Sequence, residues 1–252
     1  MTPSGFAVLP ITGMPEVRPG DSLVELLLAA APWLQDNDVL VVTSKIVSKA
    51  EGALASVPAD GPERDAARAE IMAAETARVV ATRGHTRIVQ THHGFVMASA
   101  GIDNSNVDRS QIVLLPKDPD ASARSLRADL LERGLDVAVI ISDTMGRPWR
   151  NGLTDVALGA AGIPPLRDHR GERDAHGNEL HITQMAVVDE LAAAAELVKG
   201  KIDQVPVAVI RGYLTATSDD APGIVPTLVR DAASDLFSLG TAEAIELGRT
   251  LP

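Results

Sequence analysis

Cysteine is absent from this chain, which excludes disulfides, thiolate nucleophiles and cysteine-ligated zinc or iron–sulfur clusters. Any metal ion must therefore be bound by oxygen or imidazole ligands. Lysine and arginine are also scarce, at 23 against 34 acidic residues, and they form no basic run. The positive surface of a duplex-binding protein is therefore missing, and we expect no nucleic acid partner.

Aromatic residues make up 2% of the sequence, so leucine, valine, isoleucine and alanine must fill the core. Valine-rich strands packed against alanine-rich helices suit this composition and predict a mixed α/β fold. No apolar run approaches the roughly 18 residues of a membrane span, and the N-terminus lacks a basic segment followed by an apolar one. We therefore expect a cytoplasmic protein without a membrane partner, folded as a single domain over residues 1–252.

The alternation of apolar runs with capping residues predicts the order of strands and helices. Strands are predicted at residues 6–11, 39–43, 111–115, 137–142, 180–188 and 205–211, with a hairpin formed by residues 87–90 and 95–98. Helices are predicted at residues 23–34, 63–82, 119–132 and 190–198. Residues 143–152 contain glycines and polar side chains, which predict a loop too long for a tight turn.

Two aspartates are candidate metal ligands. Asp143 directly follows the apolar strand 137–142, where open α/β folds bind ligands, and Asp103 lies in the polar segment 101–106. Carboxylates with neighbouring hydroxyl and amide oxygens are suited to Mg²⁺ or Mn²⁺, which usually also contact substrate phosphates. The alternative is structural, because an aspartate beside glycine, asparagine or serine commonly forms an Asx turn or caps a helix.

Basic and hydroxyl side chains near these aspartates can contact an anion. Arg147 and Arg150 follow Asp143 in the same predicted loop. Ser44 and Lys49 follow an earlier strand, where they can contact phosphate or base; alternatively, Ser44 caps a helix and Lys49 is solvated. Neither a Walker A sequence nor a Gly-x-Gly-x-x-Gly fingerprint occurs, so a nucleotide site here would be of another kind.

Three long motifs, in this order, resemble the coenzyme F420:L-glutamate ligase family. They are DVLVVTSKIVSKAEG at 38–52, AGIDNSN at 100–106 and ISDTMGR at 141–147. The likeness extends from about Leu9 to Gly248 and is greatest to the amino-terminal ligase domain of the actinobacterial bifunctional enzyme. In that enzyme a flavin-binding, nitroreductase-like domain follows, so both an excised domain and a stand-alone ligase stay open.

The resemblance implies a fold and a reaction. The family fold consists of mixed sheets with flanking helices and forms an intertwined homodimer. GTP would phosphorylate the terminal carboxylate of the coenzyme precursor F420-0, the amine of L-glutamate would displace phosphate, and further glutamates would be γ-linked. Two divalent cations, Mg²⁺ or Mn²⁺, would neutralise charge on the transferring phosphoryl group, and K⁺ is a further candidate cation.

The resemblance also implies roles for matching residues. Contacts to GTP are implied for Thr12, Gly13, Met14, Pro15, Ser44, Lys49, Asn106, Lys199 and Gly200. Metal ligation is implied for Asp103, Asp143 and Thr144. The stretch 197–204 would complete the nucleotide site, and a metal contact there would need a backbone carbonyl because a lysine side chain is not an ordinary Mg²⁺ ligand. Their position beside Asp143 suggests that Arg147 and Arg150 assist catalysis.

Two other functions stay open from the sequence. A metal-dependent phosphohydrolase acting on nucleotides would use the same carboxylates with water as the attacking group. A non-catalytic GTP-binding domain would keep the nucleotide contacts without turnover. The products separate the three hypotheses, because only the ligase adds glutamate to the coenzyme precursor.

Overall fold

A five-stranded mixed sheet lies at the centre of the computed structural model, which describes residues 5–105 and 107–250. The strands are β1 (Ala7–Ile11), β2 (Val39–Thr43), β3 (Leu54–Ser56), β4 (Thr76–Arg83), β5 (Thr86–Thr91), β6 (Val96–Ala98), β7 (Gln111–Val113), β8 (Ala138–Arg147), β9 (Arg150–Ala161), β10 (Arg167–Asp168), β11 (Gln184–Met185) and β12 (Val207–Arg211). The helices are α1 (Leu23–Ala30), α2 (Ser44–Glu51), α3 (Gly61–Ala74), α4 (Pro119–Glu132), α5 (Val187–Lys199), α6 (Val225–Leu228) and α7 (Thr241–Thr250).

The strand order in the central sheet is β1-β12-β2-β8-β9. Strands β2 and β8 are parallel, and Thr43 at the end of β2 lies opposite Ser142; the other neighbours are antiparallel. The apolar side chains of β2, of β12 and of the first half of β8 are buried, as expected when helices cover both faces of a sheet. The parallel pair therefore brings the residues after Thr43 and after Ser142 to the same edge of the core.

Helices pack on both faces of this sheet. One core layer joins the sheet to α1 and α4 through Leu27 and Leu130, and the other joins it to α5 through Leu191. A side chain at Gly159 in β9 would not fit, because its Cβ would lie 2.1 Å from the carbonyl oxygen of Pro119 at the start of α4. Helix α4 therefore packs directly against the backbone of β9.

A second, smaller core lies beside the central sheet. Strands β4, β5 and β6 form an antiparallel sheet, and β3 pairs with β7. Met72 of α3 and Ile112 of β7 are buried in this core. Asp103 forms an isolated antiparallel bridge with Val113 of β7. The bridge fixes the position of one predicted metal ligand.

The mixed α/β class is confirmed, as are the central strands. The strands predicted at 6–11, 39–43, 137–142 and 205–211 are present as β1, β2, the first half of β8 and β12. The predicted hairpin corresponds to β5 and β6, and the helix predicted at 119–132 is α4. Helix α1 ends at Ala30 rather than at residue 34. Long apolar runs and clear caps made these elements predictable.

Three predictions of secondary structure were wrong. Helix α3 ends at Ala74, and residues 76–82, predicted as its continuation, belong to β4, whose threonine and valine residues pair with β5. Residues 143–152, predicted as a loop, form the outer half of the β8–β9 hairpin and its turn. The strand predicted at 180–188 is limited to β11, because α5 already begins at Val187.

Within residues 5–105 and 107–250, we find no helix with the length and apolar character needed to cross a bilayer. Helices α3 and α4 have 14 residues each, against the roughly 20 that a membrane span requires.

Candidate active site

The parallel pairing of β2 with β8 creates the candidate site. Because Thr43 and Ser142 are partners, the next residues, Ser44 and Asp143, emerge at the same edge of the sheet. Ser44 is the first residue of α2, and its side chain forms a hydrogen bond with the carboxylate of Asp143. Thr43 is the N-cap of α2, so Ser44 does not cap this helix.

Asp143 carries the clearest electrostatic signature of the site. Burial raises the pKa of its carboxyl to about 6, and the negative charges of Asp155 and Asp103 add to this rise. Hydrogen bonds from the backbone N–H of Thr144, at 2.7 Å, and from Ser44 act in the opposite direction. We call Asp103, Asp143 and Asp155 the three-aspartate cluster. Burial and neighbouring carboxylates both disfavour the ionised form of Asp143, and a bound cation would stabilise that form.

Asp103 belongs to the same cluster and also makes the local turn that the sequence left as an alternative. Its Oδ1 accepts the backbone N–H of Ser105 at 2.6 Å, and its Oδ2 lies 2.6 Å from Nζ of Lys45. Burial would raise the pKa of Asp103, but the hydrogen bonds and charge of Lys45 and the bonds from Ser105 outweigh it and lower the pKa. Asp103 therefore forms an Asx turn and also lies near Asp143.

Asp155 is a member of the cluster that the sequence did not single out. It lies in β9 opposite Thr144 of β8. Its Oδ1 accepts the hydroxyl of Thr144 at 2.7 Å, and its Oδ2 accepts Ser142 Oγ at 3.0 Å and Lys199 Nζ at 2.8 Å. Burial would raise the pKa of Asp155, but the charge and hydrogen bond of Lys199 outweigh it and lower the pKa. The sequence predicts a loop at residues 143–152, and a loop gives Thr144 no strand partner.

Two lysines contact this cluster: Lys199 is the last residue of α5, and Lys201 lies two residues beyond it. Lys199, predicted to contact GTP, is buried, and its Nζ donates to Ser142 Oγ and to Asp155. Lys201 is exposed, and its Nζ donates to Thr144 Oγ1 at 2.6 Å and forms an ion pair with Glu196. The exposed ammonium group is therefore the one available to a ligand. Gly200, between them, has a positive φ of 62° and follows the last residue of the helix.

The loop after β1 lies against α2. Lys49 is buried in α2 and its Nζ lies 3.6 Å from Oε1 of Glu16, so it is not the solvated lysine of the alternative reading. Gly13 has a φ of +77° and an open space where a Cβ would point. Three further predicted nucleotide contacts lie in the same loop, namely Thr12, Met14 and Pro15. Asn106 lies outside the described residues.

The two predicted catalytic arginines lie at the tip of the β8–β9 hairpin. Arg147 and Arg150 are exposed and flank the turn at Pro148 and Trp149. An extended strand rises about 3.3 Å per residue, which separates the Cα atoms of Arg147 and Asp143 by about 13 Å. The arginines can therefore act on a ligand that extends from Asp143 along the hairpin.

No group of three or more acidic or histidine side chains in the described ranges is arranged to hold one metal ion by itself. A cation bound at Asp143 would therefore complete its coordination with hydroxyl oxygens, water or ligand phosphates, which is the usual arrangement for Mg²⁺. The site combines carboxylates for a hard cation with the ammonium groups of Lys45 and Lys201 for an anion. Such a combination is suited to phosphoryl chemistry.

Comparison with known proteins assigns this architecture to a family. The family model described as F420-0:Gamma-glutamyl ligase matches residues 12–212, a range that contains the three-aspartate cluster. The chain is 41% identical to the coenzyme F420:L-glutamate ligase of Methanothermobacter thermautotrophicus, with 92% of this chain and 99% of that protein covered. It is 40% identical to the enzyme of the same name from Methanopyrus kandleri, with the same coverage. It is 44% identical to the one from Haloarcula marismortui, covering 82% of this chain and 87% of that protein.

Proposed function

The chain belongs to the F420-0:gamma-glutamyl ligase family and is a ligase, and we propose that it joins L-glutamate to coenzyme F420-0 with GTP as the energy source. Relatives that carry the name coenzyme F420:L-glutamate ligase align with this chain over 99% of their length, which supports these substrates. Their shared name contains both the coenzyme and the amino acid.

The position of Asp143 carries this proposal. It lies in β8 one residue beyond the end of the parallel pairing with β2, beside Ser44, and two further carboxylates help burial to raise its pKa to about 6. Lys45 and Lys201 add positive charge at the same edge. Opposite charges arranged in this way suit a nucleotide whose phosphates bridge cations and lysines.

The donor set fits divalent cations. Asp103, Asp143 and Thr144 would hold Mg²⁺ or Mn²⁺ through carboxylate and hydroxyl oxygens, the ligands that these ions prefer. A bound cation would neutralise charge on the phosphates of the nucleotide. The raised pKa of Asp143 supports the fit. Its surroundings disfavour the ionised carboxylate, and a bound cation would stabilise that form.

The proposed reaction has two steps. A carboxylate oxygen of F420-0 attacks the γ-phosphorus of GTP, the bond to the β-phosphate oxygen breaks, and GDP leaves. The amine nitrogen of L-glutamate then attacks the carbonyl carbon of the acyl phosphate, phosphate departs with the bonding electrons, and the nitrogen loses a proton. Lys45, Lys201 and Arg147 would bind the phosphates and keep the reacting groups in line.

Mass spectrometry tests this proposal directly. The full chain is incubated with F420-0, GTP, Mn²⁺ and isotopically labelled glutamate, and we expect the mass of a labelled glutamyl residue to be added. Asp143→Asn should abolish the addition, whereas Asp189→Asn, a carboxylate on α5 that accepts the N–H of Ala157, should retain it. Release of GDP without any added mass would instead favour a nucleotide phosphohydrolase. Binding of GTP without turnover would favour a non-catalytic domain.

We also propose that the active form is a homodimer. Several large apolar side chains lie exposed on the hairpin and near the end of α5, including Trp149, Leu153, Leu197 and Ile202. Exposed apolar side chains of this size, grouped near one site, are typical of a surface that another protein chain covers. The proposal places the candidate site close to the boundary between subunits.

A further inference from the structure

A pocket of about 280 Å³ lies between the β8–β9 hairpin, the turn before β6 and the segment 224–235. Its large apolar lining side chains are Phe95, Met145, Val156, Ile224, Leu228 and Val229. Its lining, as far as the chain is described, includes none of the residues that the family resemblance assigns to GTP or to metal. Ligand pockets usually enclose about 300–1,000 Å³, so this one suits a small ligand rather than a nucleotide.

The pocket lies on the face of the hairpin that carries Asp143. Met145 is two residues beyond Asp143 in β8, and side chains two apart along a strand project to the same face. Val156 of β9 is the pairing partner of Asp143 and therefore also projects to that face. At about 3.3 Å per residue, the Cα atoms of Asp143 and Met145 are about 7 Å apart. A ligand in the pocket is therefore within reach of a substrate group bound at Asp143.

The wall that residues 224–235 contribute is fixed by tertiary contacts. The backbone N–H of Ile224 donates to Oδ1 of Asp120 at 2.8 Å, which ties the start of this segment to α4. Further along, Val229 packs against the turn before β6, because a Cβ added at Gly94 would lie 2.8 Å from Cγ1 of Val229. The pocket is therefore formed before any ligand binds, as is usual for small-molecule sites.

Two side chains of opposite charge line the pocket without pairing with each other. Within the described residues, the guanidinium of Arg230 has no hydrogen-bond or ion-pair partner, and the carboxylate of Asp235 accepts only the backbone N–H of Phe237, at 3.1 Å. Asp189 of α5 also lines the pocket, but its carboxylate already accepts the N–H of Ala157 at 2.9 Å. A guanidinium and a carboxylate that both lack an ionic partner suit the carboxylate and ammonium groups of an amino acid.

We propose that this pocket binds the amino-acid substrate, L-glutamate, with Arg230 contacting one of its carboxylates and Asp235 its ammonium group. The inference rests on the proposed function, because it identifies where the second substrate of that reaction binds. The amine has to reach the acyl phosphate formed at Asp143, which requires a site on the same face of the hairpin. The methylene groups of glutamate would pack against the apolar side chains of Met145 and Val156.

Equilibrium dialysis of radiolabelled L-glutamate against the full chain tests the inference without turnover. F420-0, Mn²⁺ and a non-hydrolysable GTP analogue are present, so that every other substrate site is filled. Arg230→Ala should weaken glutamate binding by about tenfold or more, because a charge-assisted contact is lost. Arg230 is exposed, so this variant should fold normally. Arg133→Ala, which removes an exposed arginine that pairs with Glu25, should bind glutamate as the wild type does.

Turnover gives a second readout that a structural defect would not reproduce. Arg230→Ala should raise the KM for glutamate and leave the KM values for GTP and F420-0 unchanged. Asp235→Asn should raise the KM for glutamate as well, because the ammonium group loses its counter-charge.

The two readouts also separate this inference from the ligase proposal. Unchanged glutamate affinity in Arg230→Ala, in a wild type that adds glutamate to F420-0, would overturn the inference alone. A raised KM for F420-0 or GTP in place of that for glutamate would overturn it too. Glutamate binding that depends on Arg230, in a wild type that adds no glutamate to F420-0, would contradict the ligase proposal alone.

Discussion

Nζ of Lys199 lies 2.8 Å from Oδ2 of Asp155, and each side chain is 3% exposed. The pair joins the last turn of α5 to β9, and Asp155 also accepts a hydrogen bond from the hydroxyl of Thr144. Burying both charges costs desolvation free energy that their attraction has to offset, so the pair need not add net stability. The pair favours one arrangement of the two side chains, because a buried charge that loses its partner destabilises the folded protein.

Breaking this pair should destabilise the protein strongly. Lys199→Met leaves the buried carboxylate of Asp155 with only the more distant ammonium of Lys201, 3.8 Å from its Oδ1, and we expect it to lower the free energy of unfolding by about 3 kcal/mol in urea denaturation. Adding Asp155→Asn should recover a large part of the loss. The control is Arg133→Met, which breaks the exposed pair with Glu25 and should cost less than about 1 kcal/mol. Equal effects of the two single variants would contradict the role given to burial.

The contact between α4 and β9 predicts a second stability effect. Gly159→Ala would place a Cβ 2.1 Å from the carbonyl oxygen of Pro119, so the helix would have to move. Overpacking of this kind should cost about 2 kcal/mol or more, measured by urea denaturation. Gly146→Ala is the control, because the nearest atom to its added Cβ is Leu153 Cδ2 at 4.0 Å. A Gly159→Ala protein as stable as the Gly146→Ala protein would contradict the close approach.

A pH dependence of stability follows from Asp189. Burial raises the pKa of its carboxyl, and the hydrogen bond from the N–H of Ala157 only partly opposes the shift. A carboxyl whose pKa is higher in the folded protein than in the unfolded chain lowers stability as the pH rises from about 4 through the raised value. Asp189→Asn should therefore increase the free energy of unfolding at pH 7 and make little difference at pH 3. A stability gain that is the same at both pH values would contradict this explanation.

The arginines of the hairpin tip can be tested by turnover. If Arg147 binds the transferring phosphoryl group, Arg147→Ala should lower kcat by about tenfold or more, because a positive charge that stabilises the transition state is lost. Arg133→Ala, which removes an exposed arginine elsewhere on the surface, should leave kcat unchanged. Unchanged turnover in Arg147→Ala would remove the catalytic role that its place in the sequence suggested.

The homodimer is tested by light scattering coupled to gel filtration. We expect a mass twice the 26.4 kDa of one chain. Trp149 is 88% exposed, and Trp149→Ser should shift the protein toward the monomer if the hairpin lies in the interface. Ile245→Ser, on α7, replaces another exposed apolar side chain and serves as the control. A wild-type protein that elutes only as a monomer would contradict the proposal.

Particular elements explain how far the sequence could predict this fold. Strands β2 and β12 are continuous apolar runs, and α4 begins with Asp118, which accepts the N–H of Ala121, followed by Pro119. Such signals are local, so one sequence sufficed to place them. The outer half of β8 and β9 has no apolar alternation, because it extends beyond the core. This part of the hairpin is extended because β8 and β9 pair with each other, and such pairing is not visible in the local sequence pattern.

The absence of cysteine determined from the sequence alone that any metal ligands are oxygen or imidazole nitrogen atoms. The sequence also singled out Asp103, Asp143 and Ser44 as candidate site residues. Only the tertiary structure decided which side chains complete the site. The contact of Lys45 with Asp103 and that of Lys199 with Asp155 each join residues far apart in the chain. Such contacts depend on strand register and helix packing. The same tertiary packing made Lys199 a buried counter-charge and left Lys201 at the surface.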